Sequence, residues 1–227
     1  MPRGKAVNYE VQKDRILECA ATLFARNGYS STSMNEVAVE CGVSKATLYH
    51  YFQDKYEMLV AMADDHSSRL VAIVTDEAEL GTHGEERFHL LIHRIVAENK
   101  RAESKHQVLL RDARFLRAAD MARIGDKQKR VVESCAAAIE EMMIDELDAH
   151  LAKPLTMLMF GMINWMVTWM KPEGALSHPD VASMVVDLFL GGVARVEAEQ
   201  MKVRRSETPS KQAAVDQIAA CEAGAQR

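Results

Sequence analysis

Lys45, Thr47, Tyr49 and His50 place an ammonium, a hydroxyl, a phenol and an imidazole within about two helical turns. Small Ala46 lies among them, while Leu48, with Val43 before it and Phe52 beyond, is left to face the other way. Such an outward face suits the major groove of a nucleic-acid duplex. Small residues let the backbone approach base edges, and hydroxyl, imidazole and ammonium groups reach phosphates and bases. No carboxylate stands between Glu40 and Asp54 to oppose a phosphate. From spacing alone, an ordinary helical hairpin with a polar face is the alternative.

Local signals define the elements that must hold this face in place. Ser33 stands three residues before Glu36 and Asp54 three before Glu57, each pair a capping box or close variant, so helices should begin near Met34 and Lys55. Between them, Cys41-Gly42-Val43-Ser44 reads as a turn and an N-cap. Gly42 takes the left-handed backbone that stops one helix, and Ser44 caps the next. Ser33 to Lys55 therefore has the layout of a helix-turn-helix. Upstream, Ile16, Leu17, Ala20, Leu23 and Phe24 repeat at helical spacing from about Val11 to Asn27, and Gly28 ends that helix. It is the platform for Val37, Val43 and Leu48. Thr32 and Ser33 offer hydroxyls either to a phosphate or to capping alone. Met1 to about Asn8 reads as an arm, whose Arg3 and Lys5 either enter a minor groove or stay disordered.

The run G-Y-S-S-T-S-M-N-E-V-A-V-E-C-G-V-S-K-A-T-L-Y-H-Y-F-Q-D-K-Y-E-M-L resembles the N-terminal DNA-binding domain of the TetR family of bacterial transcriptional regulators. The match runs nearly without gaps from Ile16 to about Leu59, and V-S-K-A-T-L-Y-H-Y-F is its most specific part. Together with the outward face, the resemblance sets the expected DNA contacts as Thr32, Ser33, Ser44, Lys45, Ala46, Thr47, Tyr49, His50, Tyr51 and Lys55. It implies double-stranded operator DNA as a partner.

Charge qualifies this expectation. The chain carries a formal net charge of -5, and residues 1–55 hold seven Lys or Arg against six Asp or Glu. A DNA-binding domain is usually strongly basic, so the positive potential here must be local, around Lys45, His50 and Lys55. One such domain would bind weakly, which implies a dimer. The 227 residues allow one or two domains with a proper core. No N-terminal segment has the pattern of an export signal, and the most apolar stretch, Leu155 to Met170, is shorter than the roughly 20 residues a membrane span needs. A cytoplasmic protein without a membrane partner is expected. Cys19, Cys41, Cys135 and Cys221 are scattered, with no C-x-x-C pair or zinc spacing.

Beyond the helix-turn-helix, Tyr56, Leu59, Val60, Ala63, Leu70, Ile73 and Val74 continue one apolar face to about Leu80. This predicts a helix of about 26 residues, or about 39 Å, able to act as a rigid rod. Further helices are predicted over Glu85 to Asn99, Ser104 to Leu116, Asp120 to Leu147, Leu155 to Met170 and His178 to Val203. The expected fold is all-α. A three-helix DNA-binding domain (1–54) is joined by a long helix to a helical effector-binding and dimerisation domain (55–204), with a flexible tail (205–227). Gly191 and Gly192 inside the last helix would be justified by close approach of another helix, so the last two helices are the expected homodimer interface.

Candidate ligand-binding groups lie in this second region. Trp165 and Trp169 are one turn apart among several Met residues, with Asn164 and Thr168 as polar groups; the stripe is either a pocket lining or plain core or dimer contact. Arg111, Arg114 and Arg117 share a helix face that either holds a phosphate-bearing ligand or is merely solvated. His89 and His93 have a chelating spacing but no third ligand in a recognisable pattern, so no metal site is expected. The C-terminal run F-G-M-I-N-W-M-V-T-W-M-K-P-E-G-A-L-S, with D-L-F-L-G-G-V, resembles a TetR subgroup responsive to acyl-CoA thioesters. That resemblance implies an acyl or ring moiety in an apolar pocket and CoA phosphates on basic residues such as Arg111 or Arg114. The expected effector contacts are His66, Arg111, Arg114, Phe115, Asn164, Trp165, Thr168 and Trp169. The resulting expectation is a repressor released from its operator by a small hydrophobic effector, with a multidrug-sensing repressor of an efflux gene, or a non-DNA-binding helical cofactor protein, as the alternatives. No Gly-rich phosphate loop, nucleophile motif or matched Glu-x-x-His pair points to an enzyme or a cofactor.

Overall fold

The structure, a computed structural model, describes residues 3–79, 82–142, 151–171 and 173–192. Helix α1 (Arg3–Asn27) is followed by α2 (Met34–Glu40), α3 (Lys45–Tyr51) and the long α4 (Lys55–Glu79). Then come α5 (Gly84–Arg101), α6 (Glu103–Asp112), a 3-10 turn (Ala113–Phe115), α7 (Ala118–Glu140), α8 (Ala152–Trp169) and α9 (178–192). The described residues contain no strand, in keeping with the all-α expectation. None of their helices is long and apolar enough to cross a membrane.

The caps explain why the first helices start and stop where they do. Ser33 accepts from the Glu36 N–H while the Glu36 carboxylate accepts from the Ser33 N–H at 2.7 Å, a complete capping box. Ser44 accepts from the Thr47 N–H at 3.0 Å. Asp54 accepts from the Glu57 N–H at 2.8 Å, and Glu57 reaches one residue further back, to the Gln53 N–H. Gly28 and Gly42 have φ of 91° and 64°, the left-handed backbone that lets α1 and α2 end in tight turns.

Two apolar clusters form the interior. The first joins Ile16, Phe24, Val37, Leu48 and Phe52 of the head to Met58, Leu59 and Met62 of α4, and also to Val108, Leu109, Leu116 and Ile124 of the α6–α7 region. The second joins Val74 of α4 to buried residues of α5, α7, α8 and α9, among them Phe88, Ile95, Ile139, Met159 and Phe189. Helix α4 thus belongs to both. Polar bonds reinforce it: Lys105 on α6, 4% exposed, bonds Asp65 of α4 at 2.7 Å and Glu18 of α1 at 2.5 Å. The Tyr56 hydroxyl donates to Asp120 at 2.6 Å and accepts from the Arg117 N–H at 2.9 Å, fastening the start of α4 to that of α7.

Several boundaries differ from those expected. Helix α1 begins at Arg3, so most of the expected arm is helical, with no Pro or turn signal after Pro2 to prevent it. The single helix expected over Ser104 to Leu116 ends at Asp112 and tightens into the 3-10 turn. Helix α7 stops at Glu140. Helix α8 starts at Ala152, with Pro154 in its first turn, where no N–H is needed. The long rod covers Lys55–Glu79 of the described residues, and Leu80, where it was expected to end, lies outside them. The tail expected over 205–227 lies outside the described residues.

Candidate DNA interface and effector cavity

Helix α3 turns a single apolar side chain, Leu48 (0% exposed), into the head core. Lys45, Ala46, Tyr49 and His50 are exposed, and Thr47 is half-buried. Lys45 has no ion-pair partner among the described residues, and no acidic residue lies in the first turn of α3. The helix therefore offers an ammonium, a phenol and an imidazole on its exposed surface. Tyr9 of α1 steadies the far end, its ring 4.7 Å from that of Tyr51 and edge-on to His50 at 5.8 Å.

Other expected contact residues have defined partners within the chain. Thr32 is 1% exposed and its hydroxyl donates to the Gly28 carbonyl at 2.8 Å. Lys55 donates to the carbonyls of Tyr29, Ser30 and Thr32 at 3.0, 3.0 and 3.1 Å, and its ammonium sits 4.7 Å from the centre of the Tyr29 ring. All three ammonium hydrogens are thereby used, so a phosphate contact would have to break one of these bonds. The ammonium ties the loop after α1 to the start of α4. Lys55→Ala should therefore lower folding stability by roughly 1–3 kcal/mol, read as a lower urea midpoint. An unchanged midpoint would return Lys55 to the phosphate contacts.

A cavity of about 230 Å³ lies among α4, α5, α6, α7 and α8, with His66, Ser67, Asn99, His106, Phe160 and Asn164 in its lining. No Lys, Arg, Asp or Glu lines it among the described residues. His66 Nε2 and His106 Nδ1 are 3.1 Å apart and hydrogen bonded. Burial pushes the pKa of His66 down to about 4 and that of His106 down to about 3, so both imidazoles are neutral at pH 7.

A third feature lies on the outer side of α8 and α9. Trp165, Leu158, Leu188, Trp169 and Met184 are 66%, 67%, 68%, 49% and 48% exposed. They border an open apolar groove whose lining includes Gly161. Among the described residues, nothing beyond the helix's own neighbouring turns comes within 4 Å of a Cβ placed on Gly161, Gly191 or Gly192. A contiguous apolar surface of this kind is rarely left to water.

The family model described as bacterial regulatory proteins, tetR family, matches residues 16–62. The one described as tetracyclin repressor-like, C-terminal domain, matches residues 81–193. A TetR-family transcriptional regulator of Bordetella parapertussis is 32% identical, over 78% of this chain and 93% of that one, with a TM-score of 0.70. The chain belongs to the TetR family. As a TetR-family protein it is a DNA-binding transcriptional regulator and not an enzyme. It is also similar to the transcriptional repressor KstR2 of Mycolicibacterium smegmatis, 24% identical over 83% of this chain and 94% of that one. A crystal structure of AibR with isovaleryl coenzyme A and operator DNA is 24% identical, covers 78% of this chain and 97% of that one, and has a TM-score of 0.67.

Within this TetR chain the expected effector residues do not form one site. His66 and Asn164 line the cavity. Arg111 donates to the carbonyls of Phe24 and Ala25 and pairs with Asp112, which places it at the end of α1. The Arg114 guanidinium lies over the ring of Phe115, which packs 5.3 Å from Tyr29, also beside the head. Trp165 and Trp169 face the outer groove, and Thr168 bonds the Trp165 carbonyl. Ser67, Asn99 and His106 were not anticipated. The two histidines lie 40 residues apart on different helices, so no spacing pattern connects them.

Proposed function

We propose that this regulator is a repressor that binds its operator as a homodimer and is released by a small hydrophobic effector lodged in the cavity. The observation that carries this is α4, which gives Met58, Leu59 and Met62 to the head core and His66, Ser67 and Leu70 to the cavity wall. A ligand that shifts α4 against α6 moves the head with it. Such coupling typically weakens operator binding by about 1–3 kcal/mol, and operator DNA weakens effector binding by the same factor. Lys45, Ala46, Thr47, Tyr49 and His50 are the proposed groove contacts, with Ser33, Ser44 and Tyr51 at their margins. The outer faces of α8 and α9 are the proposed dimer contact, setting two α3 helices roughly 34 Å apart or a multiple of that.

An acyl-CoA thioester has weaker support. AibR is seen with such a ligand, but at that identity the likeness carries the fold alone. Here no cation for a phosphate lines the cavity among the described residues, and Arg111 is engaged elsewhere. A cationic drug lacks support as well, since Glu141 is paired with Arg87 and no carboxylate reaches the lining among the described residues.

The test selects operator fragments from a randomised duplex pool, then measures binding by fluorescence anisotropy with and without apolar metabolites, acyl-CoA thioesters included. Failure to enrich any sequence would sink the DNA-reading assignment. Operator affinity unmoved by any ligand that binds would sink the coupling. In the same assay Lys45→Ala should reduce the slope of log affinity against log salt by about one, uniformly across sequences. A shift in sequence preference instead would make Lys45 a base reader.

A further inference from the structure

The hydrogen-bonding capacity of the cavity's polar end can be counted. His66 (0% exposed) and His106 (4% exposed) share one hydrogen bond. A neutral imidazole has one N–H and one bare nitrogen. If His66 donates, its Nδ1 is bare and His106 keeps an N–H at Nε2; if His106 donates, the roles reverse. Either way the pair presents one donor and one acceptor, and both outer atoms are buried without a partner. Ser67 Oγ and Asn99 Oδ1, in the same lining, are also buried and unpartnered. Buried polar groups left in this state are uncommon, and here they lie together around one space. They are richer in acceptors than donors, so the missing partner must be able to donate.

The charge of that partner is also constrained. Lys105, Arg101 and Arg69 act against a proton on His66, while Asp65 favours one; Glu103 favours one on His106. A bound carboxylate could accept from the pair's N–H, but it would bring a buried charge into a lining that holds no cation among the described residues. A carbonyl or thioester oxygen accepts only and leaves the bare nitrogen unmet. The volume of about 230 Å³ is below the roughly 300 Å³ at which ordinary ligand sites begin, which suits one ring or a short chain.

Resting on the assignment of this cavity as the effector site, we infer that its ligand is an uncharged, mainly apolar alcohol. Its hydroxyl donates to the bare imidazole nitrogen of the His66–His106 pair. The specificity-determining residues are His66 and His106, with Asn99 and Ser67 beside them.

Two isomers test this on the full-length protein: 1-octanol, and heptyl methyl ether, which has the same atoms but no donor. By titration calorimetry the alcohol should bind at least tenfold more tightly, and His66→Phe/His106→Phe should erase that preference while still binding both. The wild-type comparison is decisive even if the double variant does not fold. Equal binding of the isomers, or tighter binding of octanoate or octanoyl-CoA than of octanol, overturns the inference while leaving the cavity as the effector site. No binding by any of the four removes the cavity assignment and the inference together.

Discussion

Trp165→Glu combined with Leu188→Glu should yield a folded monomer whose affinity for a two-fold operator is at least about a hundredfold lower than that of the parent. Both side chains are about two-thirds exposed, so the substitutions remove little contact within one chain. In a two-fold interface each change occurs twice, and each glutamate would be driven into an apolar contact without a counter-charge. Every large side chain that would have been buried loses about 1.5–3 kcal/mol of association energy. The DNA penalty follows from geometry. Two linked heads share the second binding event at high effective concentration, while a single near-neutral head must bind alone. Light scattering after size exclusion measures the first part, anisotropy on a palindromic duplex the second, and circular dichroism checks that helices persist. A persistent dimer would show that another face holds the copies together, and a monomer with parental affinity would show that one head suffices.

The second large effect is on acid stability. His66 titrates in the folded state at about 4 and His106 at about 3, against an ordinary histidine near 6.5. Both groups are bases with depressed folded values, so the unfolded chain takes up protons that the folded chain refuses. Their contribution is nil above about pH 6.5, and stability falls as the pH drops from there towards 4. At about 1.4 kcal/mol per unit, His66 alone costs about 3 kcal/mol by pH 4, and His106 adds a comparable loss. His93 and His178, also lowered by burial, share this window but lie nearer the surface. The lowered carboxylates Asp65, Glu141, Asp120 and Asp180 act in the same sense but in a lower window, losing their stabilisation as the pH falls through and below the ordinary carboxylate range. Urea midpoints between pH 7.5 and 4.5 should therefore decline steeply for the parent and less steeply for His66→Asn/His106→Asn. Parallel curves would mean that the pair is already charged in the folded protein.

The features read correctly from sequence are those whose causes are local. Ser33 with Glu36, Ser44, Gly28 and Gly42 each act within about four residues, so the two short helices and their turn lie where these signals put them. The apolar period of α4 is equally local, and the expected rod agrees with the helix throughout the described residues. What escaped are bonds between side chains and distant backbone. Lys55 and Arg111 look like free cations in the sequence, yet their partners are carbonyls 26 and 86 residues away or thereabouts. A carbonyl has no signature in a residue string. The same blindness applies to His66 and His106, and to Trp165 and Trp169, whose spacing was visible but not which side of α8 they take. An apolar run announces that it must be covered without saying by which neighbour.

The composition of the head's core has a consequence for building hybrid regulators. Val108, Leu109, Leu116 and Ile124 close the same cluster as Leu48 and Phe52, although they follow the head by more than fifty residues. Arg111 seals the end of α1 from the same side. A chimera joined at residue 54 would graft a new head onto a socket shaped for the old one. The transferable unit is discontinuous: residues 1–63 together with the stretch from Ser104 to Ile124 that seats them, and specificity swaps between relatives should succeed only when both pieces travel together.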